Sequence, residues 1–272
     1  MFRTTSSSRR EEASSLTTPE TERPVSRGIA CLGLLAIVLS IAITGSAPEA
    51  LRPEFGEFRL AILVQRSMSS EFLFDGYVCS GVELKGWVVT ASHCLEGREA
   101  ESSIDVVLDV ADLCQTGSIV QVEKVVDVWW PVRDDLEKQD VVLLRLESGA
   151  EFPPDGLFVS PPFVGEGYVA GFSAEYPNGV VSCDRRLTKA VLLESRACRE
   201  QLPGSGFDDH AEVCAELDQD FCVGGSGSPL LVNDSLIGVM SWGIGCGEGY
   251  PVAFALIPPR EVFWSGESNG GP

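Results

Sequence analysis

At 272 residues the chain is long enough for a sizeable hydrophobic core, in one large domain or two small ones. Its 44% hydrophobic content is ordinary for a globular protein, while 40 acidic against 20 basic residues give a net charge of −20. That balance excludes nucleic acid and anionic membrane surfaces as partners, suits solubility outside a cell, and attracts basic substrates over a range that salt shortens.

Residues 1–27 are rich in Ser, Thr, Arg and Glu, carry no apolar period, and read as a disordered leader. From Gly28 to Gly45 there is no charged residue. Such a run behind basic residues reads as an export segment, with the basic residues on its cytoplasmic side. Two fates are open for residues 28–47. The small residues Gly45-Ser46-Ala47 suit a signal peptidase, cutting after Ala47 or, because Pro48 hampers that bond, after Ser46. Left uncut, the run just reaches the length of a membrane anchor, and the long leader before it fits that reading. Residues 28–45 are the only part expected to meet a membrane. Cys31, at the start of this run, is expected to be unpaired.

From Phe58 onward, short β-rich runs recur between turn signals. Examples are Arg59 to Val64, Trp87 to Thr90, Ile104 to Leu108, Ile119 to Val128, Val141 to Leu146, Tyr168 to Phe172, Ala190 to Leu193, Leu230 to Val232, Leu236 to Trp242 and Val252 to Ile257. No long helical period and no internal repeat interrupt them. Many short strands with Gly and Pro turns predict an all-β sandwich or barrel. The Pro-rich stretch Glu151 to Pro162 is a natural joint between two halves, and Gly266 to Pro272 reads as a frayed tail.

The stretch Cys222-Val223-Gly224-Gly225-Ser226-Gly227-Ser228-Pro229-Leu230 sets one hydroxyl between two glycines, ahead of an apolar strand. Alone it is a glycine-rich surface turn. It is also the local geometry of an acyl-transfer nucleophile, with an open Oγ and backbone N–H groups beside it for an oxyanion. A serine nucleophile needs a histidine base and a buried acid to orient that base. The chain has only two histidines. His210 stands in the polar loop Gly206-Phe207-Asp208-Asp209-His210. His93 ends the β-branched run Trp87-Val88-Val89-Thr90-Ala91-Ser92-His93-Cys94. The acid candidate is Asp140, at the mouth of the apolar strand Val141-Val142-Leu143-Leu144-Arg145-Leu146; its alternative role is a strand-edge cap.

Of the nine cysteines, all but Cys31 lie beyond the export segment, an even number in an exported chain, which predicts disulfides. Zinc binding is the competing reading, but no Cys-x-x-Cys or Cys-x-x-His pair is present, so neither a metal nor a cofactor is expected.

The blocks Val88 to Cys94, Asp140 to Leu146, Cys222 to Leu230 and Ser241-Trp242-Gly243 resemble the trypsin/chymotrypsin-like serine proteases, in that family's order of His, Asp and Ser. The resemblance covers roughly Phe58 to Ile257. It implies two six-stranded antiparallel β-barrels, about 58–155 and 160–257 within a protease domain spanning 48–265, with the active site in the cleft between them. It implies Ser226 as nucleophile, His93 as base, Asp140 as the orienting acid, and the N–H groups of Gly224 and Ser226 as oxyanion hole. Ser241, Trp242 and Gly243 would pair with the substrate backbone, and Asp220 would lie at the base of the primary specificity pocket and select Arg or Lys. Cys79–Cys94, Cys198–Cys214 and Cys222–Cys246 are the implied disulfides; Cys114 and Cys183 are left as a pair by elimination. Pro258 to Trp264 looks like a shortened version of the family's C-terminal helix. Partners would be protein or peptide substrates and protein inhibitors, acting on a monomer. Asn233-Asp234-Ser235 is an acceptor pattern for glycosylation.

Three departures from the pattern stand out. Phe221 follows Asp220 where a small residue is usual, and near Pro251-Val252 the usual Gly is not evident. Gly225 replaces the Asp that, in the family, pairs with a newly cut amino terminus. The corresponding region, Leu51-Arg52-Pro53-Glu54-Phe55-Gly56, has no Ile-Val-Gly-Gly, and Pro53 blocks cleavage after Arg52. Losing both halves of a buried ion pair can be neutral where losing one is costly. The expectation is an exported serine endopeptidase that does not use terminus insertion, nearer in this respect to the glutamyl-endopeptidase branch with its Gly-x-Ser-Gly-Ser-Pro. The alternative is a catalytically silent pseudo-protease, a binding module on the same fold.

Overall fold

The structure is a computed structural model and describes residues 56–65, 73–114, 121–131, 139–158, 164–176, 178–219, 221–245 and 249–265. The leader at 1–27, the export segment at 28–47, Asp220, Cys246 and the tail at 266–272 lie outside the described residues. Among the described residues no helix is long and apolar enough to cross a membrane.

The first barrel contains β1 (Arg59–Gln65), β2 (Tyr77–Leu84), β3 (Trp87–Thr90), β4 (Ile104–Leu108), β5 (Gln121–Pro131) and β6 (Val142–Leu146). Its strands run in the order β5-β4-β1-β2-β3-β6, every pairing antiparallel, and β5 pairs with β6 to close it. The second barrel contains β7 (Gly165–Gly171), β8 (Arg186–Leu192), β9 (Glu212–Leu217), β10 (Pro229–Val232), β11 (Ser235–Gly243) and β12 (Val252–Leu256), closed in the order β10-β11-β12-β9-β8-β7. The two closed six-stranded barrels make an all-β protein of the architecture expected from the sequence. Two hairpins turn on residues with positive φ, Lys85-Gly86 between β2 and β3 and Asn233-Asp234 between β10 and β11. This is the two-residue turn whose twist matches paired strands, and Gly, Asn and Asp tolerate it best.

β3 shows why some of these strands read as unbroken apolar runs. All its residues are buried. Val88 belongs to the core of the first barrel, with Leu63, Ile104, Val106 and Leu144. Trp87 and Val89 belong to a second cluster that takes in Leu231, Leu236, Val239 and Ala255 from the second barrel. Alternate residues thus fill the barrel and the seam between barrels, so neither face needs polar side chains. In that seam Trp87 and Trp129 meet edge to face at 5.1 Å, an arrangement favoured by the ring quadrupoles.

Three disulfides are seen. Cys79–Cys94 joins β2 to the turn after β3, Cys198–Cys214 joins the helix Ser195–Gln201 to β9, and Cys114–Cys183 joins the segment after β4 to the segment before β8. The last is reinforced by an Asp112–Asp184 bridge and by the backbone bonds Leu113 N to Cys183 O and Arg185 N to Ala111 O, and so straps one barrel to the other. Cys222 is also disulfide-bonded; its expected partner, Cys246, is not among the described residues.

The chain end differs from the expected helix. After a single 3₁₀ turn at Arg260–Val262, residues Phe263–Ser265 form a thirteenth strand, β13, paired antiparallel with β5 at Phe263–Pro131 and Trp264–Trp130. Phe263, buried beside Phe158, is a better strand residue than helix residue, and its pairing with Pro131 draws the chain onto the edge of β5.

Candidate active site

Antiparallel pairing of β3 with β6 matches Thr90 with Val142. The end of one strand therefore meets the start of the other, and His93, three residues on from Thr90, comes to face Asp140, two residues before Val142. His93 sits in a 3₁₀ turn, Ser92–Leu95, whose Cys94 is held by the disulfide to Cys79. Ser226 comes from the second barrel, on the turn that leads into β10.

The nucleophile turn is pressed against the first barrel. Ser80 N donates to Ser226 O at 2.9 Å, and Gly227 N donates to Met240 O at 2.8 Å. Gly227 has φ +78°, and a Cβ there would run into Ser80 O and Thr90 Oγ1. Only glycine lets the two backbones come this close. Gln139, buried just before Asp140, donates through Nε2 to Leu256 O of β12 at 2.6 Å, a second link across the cleft.

Around Asp140 the hydrogen bonds are complete. Its Oδ1 accepts from His93 N at 2.9 Å and from Ser92 Oγ at 2.8 Å. Its Oδ2 lies 2.7 Å from His93 Nδ1 and accepts from Ser241 Oγ at 2.6 Å. A carboxylate at Nδ1 places the ring proton there, which leaves Nε2 as an acceptor. His93 Nε2 is 2.9 Å from Ser226 Oγ. Burial would by itself push the Asp140 carboxyl up, but the hydrogen bonds from His93 and Ser241 outweigh it and hold the carboxyl well below the usual carboxylate range. The bond to Asp140 raises the His93 pKa above its ordinary value, and burial takes part of that rise back.

Ser241 reaches Asp140 because of an irregularity in the sheet. The register of β11 on β12 shifts between Met240 and Trp242, so Ser241 is the extra residue of a bulge. Bulges re-aim side chains in this way. Its neighbours Trp242 and Gly243 stay paired with Ala253 and Val252. The Trp242 indole donates to Glu212 Oε1 at 2.6 Å. Among the described residues, the amides of Gly224 and Ser226 have no backbone acceptor, whereas Gly225 N donates to Cys222 O at 2.9 Å and closes the turn between them. His210 is exposed in its loop and takes no part.

The structure therefore brings together His93, Asp140, Ser226, Gly224 and Ser241, with Trp242 and Gly243 on the same strand as Ser241. It does not describe Asp220. Ser92, Gln139, Ser80, Tyr77 and Glu212 were not anticipated from the sequence. Ser92 alone carried a signal, standing between the strand and the histidine.

A family model described as Trypsin matches residues 54–258. The chain is similar to trypsin eta of Drosophila melanogaster, with 29% identity over 180 residues that cover 62% of this chain and 68% of that one. It is similar to trypsin II-P29 of Gallus gallus, with 27% identity over 212 residues covering 71% and 79%. It is also similar to serine protease 56 of Mus musculus, with 27% identity over 224 residues covering 72% of this chain and 35% of that protein.

Proposed function

The chain belongs to the trypsin family and is a serine-type endopeptidase, and from that premise we propose that it cuts protein or peptide substrates through an acyl-enzyme on Ser226. The observation that carries this reading is the bonded series Asp140 Oδ2, His93 Nδ1, His93 Nε2, Ser226 Oγ, at 2.7 and 2.9 Å. Ser226 Oγ attacks the carbonyl carbon while His93 Nε2 takes its proton. The carbonyl oxygen becomes an oxyanion held by Gly224 N–H and Ser226 N–H. His93 then gives the proton to the leaving amine as the C–N bond breaks, and a water activated by the same imidazole releases the acid. Asp140 fixes the tautomer of His93 and stabilises the imidazolium. The substrate lies along Ser241-Trp242-Gly243 as an added strand. The enzyme acts outside the cytoplasm, exported through residues 28–47, in keeping with its disulfides.

Cleavage after Arg or Lys rests on Asp220 and on the acidic charge of the chain. A second reading, preference for a small apolar residue, is supported by the residue that follows Asp220 in the chain: Phe221 is 2% exposed and shares one apolar cluster with Val252, Met240 and Phe254. Terminus insertion plays no part in either reading, because Gly225 offers no carboxylate for it.

Labelling by a fluorophosphonate, read by intact mass, tests the catalytic reading. One adduct is expected on the oxidised protein and none on Ser226→Ala. No adduct on the folded protein would favour the silent binding module instead. Peptides matched except for Arg, Lys, Glu, Ala or Val at the cleaved position then decide between the two pocket readings.

A further inference from the structure

Gly224 must keep its amide aimed at the oxyanion, and at its φ of +90° a glycine has no side chain to restrict the backbone, so the loop's own chain does little to fix that aim. Its carbonyl is gripped from the other barrel. Tyr77, the first residue of β2, places its hydroxyl 2.7 Å from Gly224 O, 3.4 Å from Phe172 O and 2.9 Å from Ser80 Oγ, with its ring edge-on to Phe172. A phenol has one proton, and carbonyls only accept. The proton therefore goes to Gly224 O, the nearer carbonyl. Ser80 Oγ–H then donates to Tyr77 Oη, while Phe172 N–H donates to Ser80 Oγ at 3.4 Å. The bonds run one way, from Ser80 through Tyr77 to Gly224. Burial pushes the Tyr77 phenol far above the ordinary tyrosine range, so it stays a donor.

The space under the next residue is already filled. A Cβ on Gly225 would lie 2.7 Å from Met240 Sδ and 2.7 Å from Phe221 Cδ1, and both side chains are buried. There is no room for a carboxylate that could anchor this loop to a buried amino terminus.

We propose that Tyr77 is a positioning residue, whose hydroxyl, supported by Ser80, holds the oxyanion loop in its working shape from the first barrel and makes the loop competent on folding. The inference rests on the catalytic role of Ser226 proposed above, and its test separates the two. In the full chain, Tyr77→Phe keeps the ring and removes the bond. Its kcat per titrated active site falls about 10- to 100-fold with KM within about twofold, since removal of a whole oxyanion donor costs about 10²–10³. Amide hydrogen exchange of segment 222–227 becomes faster. A merely structural role would lower the fraction of titratable sites and the Tm and leave kcat per site unchanged. Should Tyr77→Phe not fold, Ser80→Ala, which removes the donor to Tyr77, gives a smaller fall of about threefold with the same faster exchange. If the unaltered chain takes no fluorophosphonate, the catalytic reading of Ser226 fails, and the exchange comparison still decides the role of Tyr77. Equal exchange in variant and parent overturns the proposal whatever the activity.

Discussion

Four hydrogen bonds converge on the Asp140 carboxylate, and two of them come from His93 itself. This makes the acid a strong base-tuner as well as an orienter. A general base must be neutral, so kcat/KM should rise with pH through the raised pKa of His93, with its acid limb above the ordinary histidine value of about 6.5. Asp140→Asn removes the charge and allows the wrong tautomer. It should lower kcat by about 10⁴-fold and move the acid limb down, as a pH–rate profile would show. The same carboxylate has a stability signature at lower pH. Its folded pKa is depressed, so the stabilisation it supplies is complete above the unfolded value of about 3.9 and is lost as pH falls from there. Denaturation midpoints measured from pH 6 downward should therefore drop less steeply in Asp140→Asn than in the parent. His93, Asp140 and Ser226 were legible in the sequence because each sits in a short, distinctive block. Tyr77 was not, because what it does depends on a partner 147 residues away.

Elements built on β-branched and aromatic runs were read nearly to their ends, β3 and β4 among them. β2 and β9 were not. β2 buries Ser80 and Glu83 along with its apolar residues, and β9 buries Glu212 where it meets the Trp242 indole. Polar residues buried on their own hydrogen bonds break the alternation that marks a strand from sequence. The helix Ser195–Gln201 is only seven residues long, too short for a helical period to register. β13 was taken for a helix because its pairing with β5 is a long-range contact. At this scale the nucleophile turn is a tight joint. Gly227→Ala adds a methyl group against Ser80 O and Thr90 Oγ1 at a left-handed φ. It should cost about 3 kcal/mol or more, a fall of about 6–12 °C in Tm by calorimetry, and it should also end labelling at Ser226 by lifting the turn away from His93.

Across the whole molecule, the barrels are joined by an apolar seam, by backbone and side-chain bonds at Ser80 and Gln139, and by the Cys114–Cys183 strap. The strap closes a loop with a sequence separation of 69. In the chain-entropy account such a closure stabilises the fold by about 4 kcal/mol. Replacing both cysteines by serine should lower the urea midpoint accordingly, and the seam and β13 should keep the barrels docked, so that kcat in native buffer stays within about twofold. The cysteine count left Cys114 and Cys183 as a pair by elimination, and the structure joins them; what the sequence did not offer is the bridge at Asp112 and Asp184 that brings the two segments together.

The bond from Ser80 N to Ser226 O has a consequence for the life of the chain before it is an enzyme. The barrel that carries the base and the acid is made first, and domains fold largely in the order of their synthesis. For as long as the second half is still emerging, the chain holds a histidine–aspartate pair with nothing to activate. Competence arrives only when the last strands close and the nucleophile turn is clasped by a barrel already standing. The order of synthesis thus separates the making of the base and the acid from the making of the nucleophile, and Ser226 stays without its base until the two halves meet.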